Sequence, residues 1–178
     1  MKKITFLFIS LISIYSFSQI RKEVENGIYV TFPNVPKYEV VENNSSYLAE
    51  TNNCLFMVIT QRNIIPNYDK YLEAQKKWTE SEKQKIINIL LDNAVQGQLD
   101  YTGNTGKSEN IKIGQFFGRK VTYSAINPTN GERTQRVSII LSVRDRLLNF
   151  NVFYMQKTPD NVSKKEMEDF INSISTIK

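Results

Sequence analysis

Gln115-Phe-Phe-Gly-Arg-Lys-Val-Thr-Tyr-Ser-Ala-Ile126, Arg133-Thr-Gln-Arg-Val-Ser-Ile-Ile-Leu-Ser-Val143 and Leu147-Leu-Asn-Phe-Asn-Val-Phe-Tyr154 decide the fold. Each run is rich in β-branched and aromatic residues, which suit a pleated, half-buried surface. Asn127-Pro-Thr-Asn-Gly131 separates the first two and has the chemistry of a hairpin loop. Arg144-Asp145-Arg146 turns the chain again. The three runs therefore read as consecutive strands of one antiparallel sheet.

Upstream, Gly27-Ile-Tyr-Val-Thr-Phe32 alternates and then meets Pro33 and Pro36. It is expected to be an opening strand that proline ends, since proline cannot donate to a ladder. Ser46 to Thr51 and Cys54 to Thr60 form a hairpin about Asn52-Asn53, because asparagine tolerates positive φ. A helix is expected from Pro66-Asn67, with Asn67 or Asp69 as its cap. Tyr68, Tyr71, Leu72 and Trp78 recur at helical spacing, the polar run Thr79 to Lys85 follows, and Ile86 to Val95 is apolar again. Two helical segments with a break near Thr79 to Glu82 are favoured over one, the second ending at Gly97. Asp100 to Asn110 reads as a polar loop and Ile111 to Gly114 as a short edge strand. At the C-terminus, Ser163-Lys-Lys-Glu166 has the form of a capping box. Met167, Phe170, Ile171, Ile174 and Ile177 follow at steps of three and four, an apolar stripe that must dock on the sheet.

The first residues stand apart. Met1-Lys2-Lys3 is a basic n-region, Ile4 to Phe17 is an apolar run, and Ser16-Phe17-Ser18 places small residues where a signal peptidase reads. Residues 1–18 are read as a secretory signal peptide and 19–178 as one domain. An apolar run of this length is short of the roughly 20 residues that span a bilayer. No later stretch is a membrane span, and no Cys follows the apolar run to take a lipid. The expected location is periplasmic or secreted.

Composition excludes much chemistry. There is no histidine, which removes the commonest general base and metal ligand. The single cysteine, Cys54, opens an apolar strand and allows neither an intramolecular disulfide nor a cysteine zinc site. It reads as a small core residue. Acidic residues lack the alternating spacing of a calcium loop, and no cofactor is expected. Thr102-Gly-Asn-Thr-Gly-Lys-Ser108 resembles a phosphate loop, but the first glycine of that motif is replaced by Tyr101. The formal charge of +5 falls to +3 once Lys2 and Lys3 leave with the signal. That mild, mixed charge does not support nucleic-acid binding.

Alternation along the strands offers one candidate site. Lys120 and Thr122 share one face of their strand, and Arg136 and Ser138 one face of the next. Placed together, they would form a polar, cationic patch for an anion or an acidic partner. The plain alternative is a solvated or helix-covered sheet face. Trp78 and the many Tyr and Phe residues are a second candidate, as the lining of a pocket between helix and sheet.

The order of these pieces resembles the PsbP-like proteins. The matching elements are the opening strand Gly27 to Pro33, a hairpin, a helix ending near Gly97, Ile111-Lys-Ile-Gly114 and Phe117-Gly-Arg-Lys-Val-Thr-Tyr123. Asp145-Arg-Leu-Leu-Asn-Phe-Asn-Val152 and a closing helix with Phe170-Ile-Asn-Ser-Ile174 complete it. The resemblance spans the chain after residue 18. It implies an α+β fold, an α/β/α sandwich around a mostly antiparallel sheet, and a non-enzymatic accessory or binding role like that of the photosystem II extrinsic subunit and small exported bacterial homologues. It carries no site over, because the photosynthetic members' proposed metal positions include histidine.

Three functional readings follow. The first is an exported, non-catalytic protein acting through its surface on another envelope protein. The second is a module that holds a small molecule or lipid between helix and sheet. The third is a histidine-free hydrolase, for which no G-x-S-x-G motif is present. Protein recovered from its native cell should begin within about two residues of Gln19. N-terminal sequencing that returned Met1 on membrane-bound material would replace the signal peptide with an anchor.

Overall fold

The structure, a computed structural model, describes residues 19–103, 106–127 and 130–177. The proposed signal segment, 1–18, lies outside the described residues, as do parts of the Thr102–Ser108 and Asn127–Gly131 loops.

The described chain opens with β1 (Ile20–Glu25) and β2 (Ile28–Phe32), paired antiparallel through a turn at Asn26-Gly27. A meander follows: β3 (Lys37–Val41), β4 (Asn44–Glu50) and β5 (Cys54–Gln61). Two helices come next, α1 (Tyr68–Gln75) and α2 (Glu80–Tyr101). A second meander contains β6 (Gly106–Ile113), β7 (Phe116–Ile126), β8 (Arg133–Val143) and β9 (Arg146–Tyr154). Helix α3 (Asn161–Asn172) and the short β10 (Ser175–Thr176) close the described chain. The fold is mixed α+β with two antiparallel sheets, ordered β1-β2-β10 and β3-β4-β5-β9-β8-β7-β6. The two meanders meet where β5 pairs with β9.

Both faces of the large sheet are covered at its centre. Val137, Ser138, Ile139, Ile140 and Leu141 of β8 are all buried, so side chains pointing each way leave water. On one face Phe56, Val58, Ile139, Leu141, Phe150 and Val152 form a core with Ile28, Val30 and Phe32 of the small sheet and Met167 and Phe170 of α3. On the other, Val121, Tyr123, Ala125 and Ile140 pack under Leu91 and Val95 of α2. Gly118 sits at a close approach of β7 and β8: a Cβ there would lie 2.4 Å from the Ile140 carbonyl oxygen.

The break between α1 and α2 falls where expected. Thr79 caps α2 by accepting from the Glu82 N–H, and the Glu82 carboxylate accepts the Thr79 N–H at 2.7 Å, a complete capping box. Asn67 is the α1 N-cap residue but makes no side-chain cap, since it holds a left-handed φ of 53°.

Several expectations are corrected. Gly97 does not end α2: the helix runs on to Tyr101, and Gly97 keeps right-handed backbone. The stretch 100–110 is therefore mostly the end of α2 and the start of β6, which is longer than the edge strand expected at 111–114. Ser163 is not the α3 cap. Asp160 holds that position and accepts the Ser163 N–H at 2.7 Å, while the buried Ser163 hydroxyl donates to the same carboxylate. Glu166 turns away from the cap and accepts hydrogen bonds from Thr51 Oγ1 and Asn53 Nδ2. Ile177 is exposed, because the chain leaves the helix after Asn172 and β10 pairs with β2.

The stripe on α3 is otherwise docked as expected. Phe170 is buried between Phe32 and Phe56, with ring centroids 5.4 and 5.1 Å away. Phe170→Ala should cost roughly 3–5 kcal/mol by the cavity it leaves. Asp160→Ala should cost about 1 kcal/mol through the lost cap, and Glu168→Ala on the exposed side less than about 0.5 kcal/mol. Denaturant melts check that order; equal midpoints for the Phe170 and Glu168 variants would show an undocked helix.

Candidate functional site

The sequence-derived polar patch is divided by strand register. Lys120 pairs with Ile139 and Thr122 with Val137, whereas Ser138 pairs with Val121 and Arg136 with Tyr123. Directly paired residues share a face. Lys120 and Thr122 therefore lie on the α3 side of the sheet, and Arg136 and Ser138 on the α2 side. The four do not form one patch, and this expectation is corrected.

Arg136 and Ser138 instead belong to a polar seam beneath α2. Ser138 is fully buried and its hydroxyl lies against Gln98 Oε1, at 3.3 Å, and Asn149 Oδ1. Asn149 Nδ2 donates to Gln98 Oε1 at 3.2 Å, and the Tyr123 hydroxyl donates to Asn151 Oδ1 at 3.3 Å. Burial raises the Tyr123 pKa, partly offset by Arg136 and Gln98. The Arg136 guanidinium lies 4.3 Å from the centre of the Phe153 ring and donates to the Ile126 carbonyl at 2.7 Å. Arg119, also buried, donates to Asp92 at 2.9 Å and to Asn88 at 3.1 Å on α2. These bonds satisfy most of the polar groups taken out of water and fix α2 on the sheet, although the buried Gln98 Nε2 and Arg136 Nε have no hydrogen-bond partner among the described residues. They read as structural.

A cleft opens where α1, α2 and the end of the sheet meet. Its volume is about 590 Å³. Tyr68 and Tyr71 of α1, Ile86, Ile87 and Leu90 of α2, Phe116 and Phe117 of β7, and Ile64 to Pro66 form its apolar walls. Gln75, Gln115, Ser142 and Arg144 supply its polar groups. Trp78 is not in the lining. It stands behind it, edge-on to the Tyr71 ring at 5.4 Å, while Tyr68 and Tyr71 stack at 5.8 Å. The lining contains no Asp, Glu, Lys or Cys.

Its electrostatics are simple. Desolvation is the largest influence on Tyr68 and Tyr71 and raises both pKa values; Asp145 adds to the effect on Tyr68, and Arg144 opposes it. Both phenols therefore remain neutral near neutral pH. Gln75 Nε2 donates to the Tyr71 hydroxyl at 3.3 Å. Asp145 pairs with Arg146 at 3.5 Å, whereas Arg144 has no salt bridge among the described residues. Arg144 is thus the one formal charge in the lining.

A second cleft, of about 650 Å³, lies beside α3 and is lined by Phe32, Phe56, Val162, Lys165, Glu166 and Asp169, among others. Its charges are already engaged: Lys165 pairs with Asp169 at 2.6 Å, and Glu166 is held by Thr51 and Asn53. Among the described residues no three His, Cys, Asp or Glu side chains are grouped to hold a metal ion, and no helix is long and apolar enough to cross a membrane. No protein-family model matches the chain, and no curated protein matches it significantly.

Cys54 lies in the core, its Sγ 3.5 Å from the Ser163 carbonyl oxygen. Burial, aided by Glu166 and Asp160, pushes its thiol up to about 12. At about pH 8 its thiolate fraction should be on the order of a thousandfold below that of free cysteine. Reaction with an aromatic disulfide reagent should therefore be slow in the native protein and fast in denaturant. Rapid native labelling would mean that the core around Cys54 opens.

Proposed function

We propose that this chain is an exported binding protein with the sandwich architecture of the PsbP-like proteins, and that it holds a small amphipathic ligand in the cleft between α1, α2 and the sheet. One observation carries the reading: a largely apolar cavity has a single unpaired cation, Arg144, in its wall. Its volume lies in the usual range for small-molecule sites, roughly 300–1,000 Å³. An apolar body fits against Ile87, Leu90, Phe116 and the two tyrosines. An anionic or strongly polar end would meet Arg144, with Gln75 and Gln115 as further hydrogen-bonding partners. Such a site orients and retains a ligand; Ser142 has no lysine or carboxylate beside it in the lining to act as its base. Helices packed on both faces of a large antiparallel sheet support the sandwich architecture.

The chain's single tryptophan reports on this cleft through Tyr71. Titration with anilinonaphthalene sulfonate, or with a medium-chain fatty acid, should change Trp78 fluorescence saturably. Arg144→Gln should weaken binding of these anions by about tenfold, the worth of one charge-assisted bond. A neutral alcohol of the same chain length should lose little on that substitution. No saturable signal, or equal affinities for the anion in both forms, would refute the site.

A further inference from the structure

We propose that β3 pairs antiparallel with β3 of a second copy of this chain, about a two-fold axis at Tyr38, so that two sheets become one. The two edges of the large sheet differ sharply. At one end β6 exposes Lys107, Glu109 and Lys112 with Ser108 and Asn110 and no large apolar side chain, so it offers a partner strand little to bury. At the other end every residue of β3 is exposed, and no strand among the described residues covers its outer side. Val35, Tyr38, Val40 and Val41 are each more than half exposed. The other large apolar residues so exposed, Ile89, Ile126, Val162 and Ile177, are scattered singly. A row of unpaired backbone groups flanked by apolar side chains is a template for another strand.

The sequence of the edge selects the occupant. Along Val35-Pro-Lys37-Tyr-Glu39-Val-Val41, alternate residues on one face read Val, Lys, Glu, Val. That order is self-complementary when reversed. With Tyr38 on the axis, Lys37 faces Glu39 of the second copy, Glu39 faces its Lys37, and each Val35 faces a Val41. Tyr38, whose ring rests on Tyr47 at 4.7 Å, meets its own copy on the opposite face. Centring the pair on Glu39 instead would set two carboxylates against each other, which is unfavourable. Charge thus fixes both register and partner. The contact is isologous and closes at two copies, whereas β3 pairing with β6 would build open filaments.

Sedimentation velocity of the purified protein over a concentration series tests this. The expected result is a monomer–dimer equilibrium. Glu39→Lys places lysine opposite lysine twice and should raise the dimer dissociation constant about tenfold or more. The double variant Lys37→Glu, Glu39→Lys reverses both charges and should restore the wild-type constant. Thermal melts by circular dichroism establish that each variant is folded. A wild-type monomer throughout the series overturns the proposal, as does a dimer indifferent to Glu39→Lys. Failure of the double variant to recover would assign the effect to something other than this pairing. A growing ladder of larger species would mean head-to-tail edge contacts and equally refute it.

Discussion

Burial of β8 on both faces is the constraint that the rest of the structure answers to. Five consecutive residues, Val137 to Leu141, leave water together, including the hydroxyl of Ser138. A strand so placed needs an apolar cover on each side and partners for the polar atoms it buries, which Ser138 finds and Thr134 Oγ1 and Arg136 Nε do not among the described residues. The covers are unlike one another. On one side α3 and the β1-β2 hairpin share the work, with Phe32, Phe56 and Phe170 meeting in one aromatic cluster. On the other a single long helix lies over β7 and β8, its register fixed by Arg119 to Asp92 and Asn88 and by Gln98 over Ser138 and Asn149. The small sheet is tied to the large one by a further ion pair, Glu25 with Arg146. Burial acts to raise the Glu25 pKa, but the Arg146 hydrogen bond, the Asn26 N–H and nearby positive charge outweigh it, so the carboxylate stays ionised and bonded.

Elements with one strong local signal were legible in the sequence. The strands β7 to β9, the break before α2 and the buried stripe of α3 follow from periodicity and turn chemistry, whereas the hairpin at Asn52-Asn53 forms where expected for another reason: neither asparagine holds positive φ, and Thr51 Oγ1 accepts the Asn53 and Cys54 N–H groups. Elements whose signal is tertiary were missed. Ile20-Arg-Lys-Glu-Val-Glu25 carries few apolar residues and Lys37-Tyr-Glu-Val-Val41 lacks a clean alternation, because each pairs at a sheet's edge and buries little. Gly97 has the form of a stop signal, but glycine inside a helix costs only about 1 kcal/mol relative to alanine, and Leu99, beyond it, packs against the core under α2. At α3 two capping residues compete, and a sequence cannot say whether Asp160 or Ser163 takes the N–H groups. Asp160 does, and the Ser163 hydroxyl becomes its second donor.

The candidate patch failed for a specific geometric reason. Alternation within β7 and within β8 was read correctly, but faces on neighbouring strands are related only through register. Here even-numbered residues of β7 pair with odd-numbered residues of β8, so Lys120 joins Ile139 and not Ser138. One residue more or fewer in the loop at 127–132 would reverse that parity. The proposed cleft was legible in kind, as aromatic residues between helix and sheet, but not in membership. Trp78 stands one ring away from the lining, and Phe116 and Phe117 come from the start of β7 and Arg144 from the β8–β9 turn, whose approach to α1 no periodicity records.

The backbone around the cleft carries a signal of its own. Four described residues other than glycine hold positive φ: Glu42, Asn63, Asn67 and Arg144. Three of them border this cleft: Asn63 and Asn67 flank the lining residues Ile64, Ile65 and Pro66, and Arg144 belongs to the lining itself. Asparagine adopts this conformation at low cost, but for arginine it costs about 1–2 kcal/mol. At position 144 the tight β8–β9 turn requires it, and glycine or asparagine would relieve the strain. An arginine there is therefore not explained by the turn, which favours other residues. What the turn presents is a guanidinium in the wall of an apolar cavity, with no salt bridge to it among the described residues. Glu42 in the β3–β4 turn holds the same conformation outside the cleft, so such strain is not confined to it, but among these four residues Arg144 alone has its side chain in the lining of the proposed binding cleft.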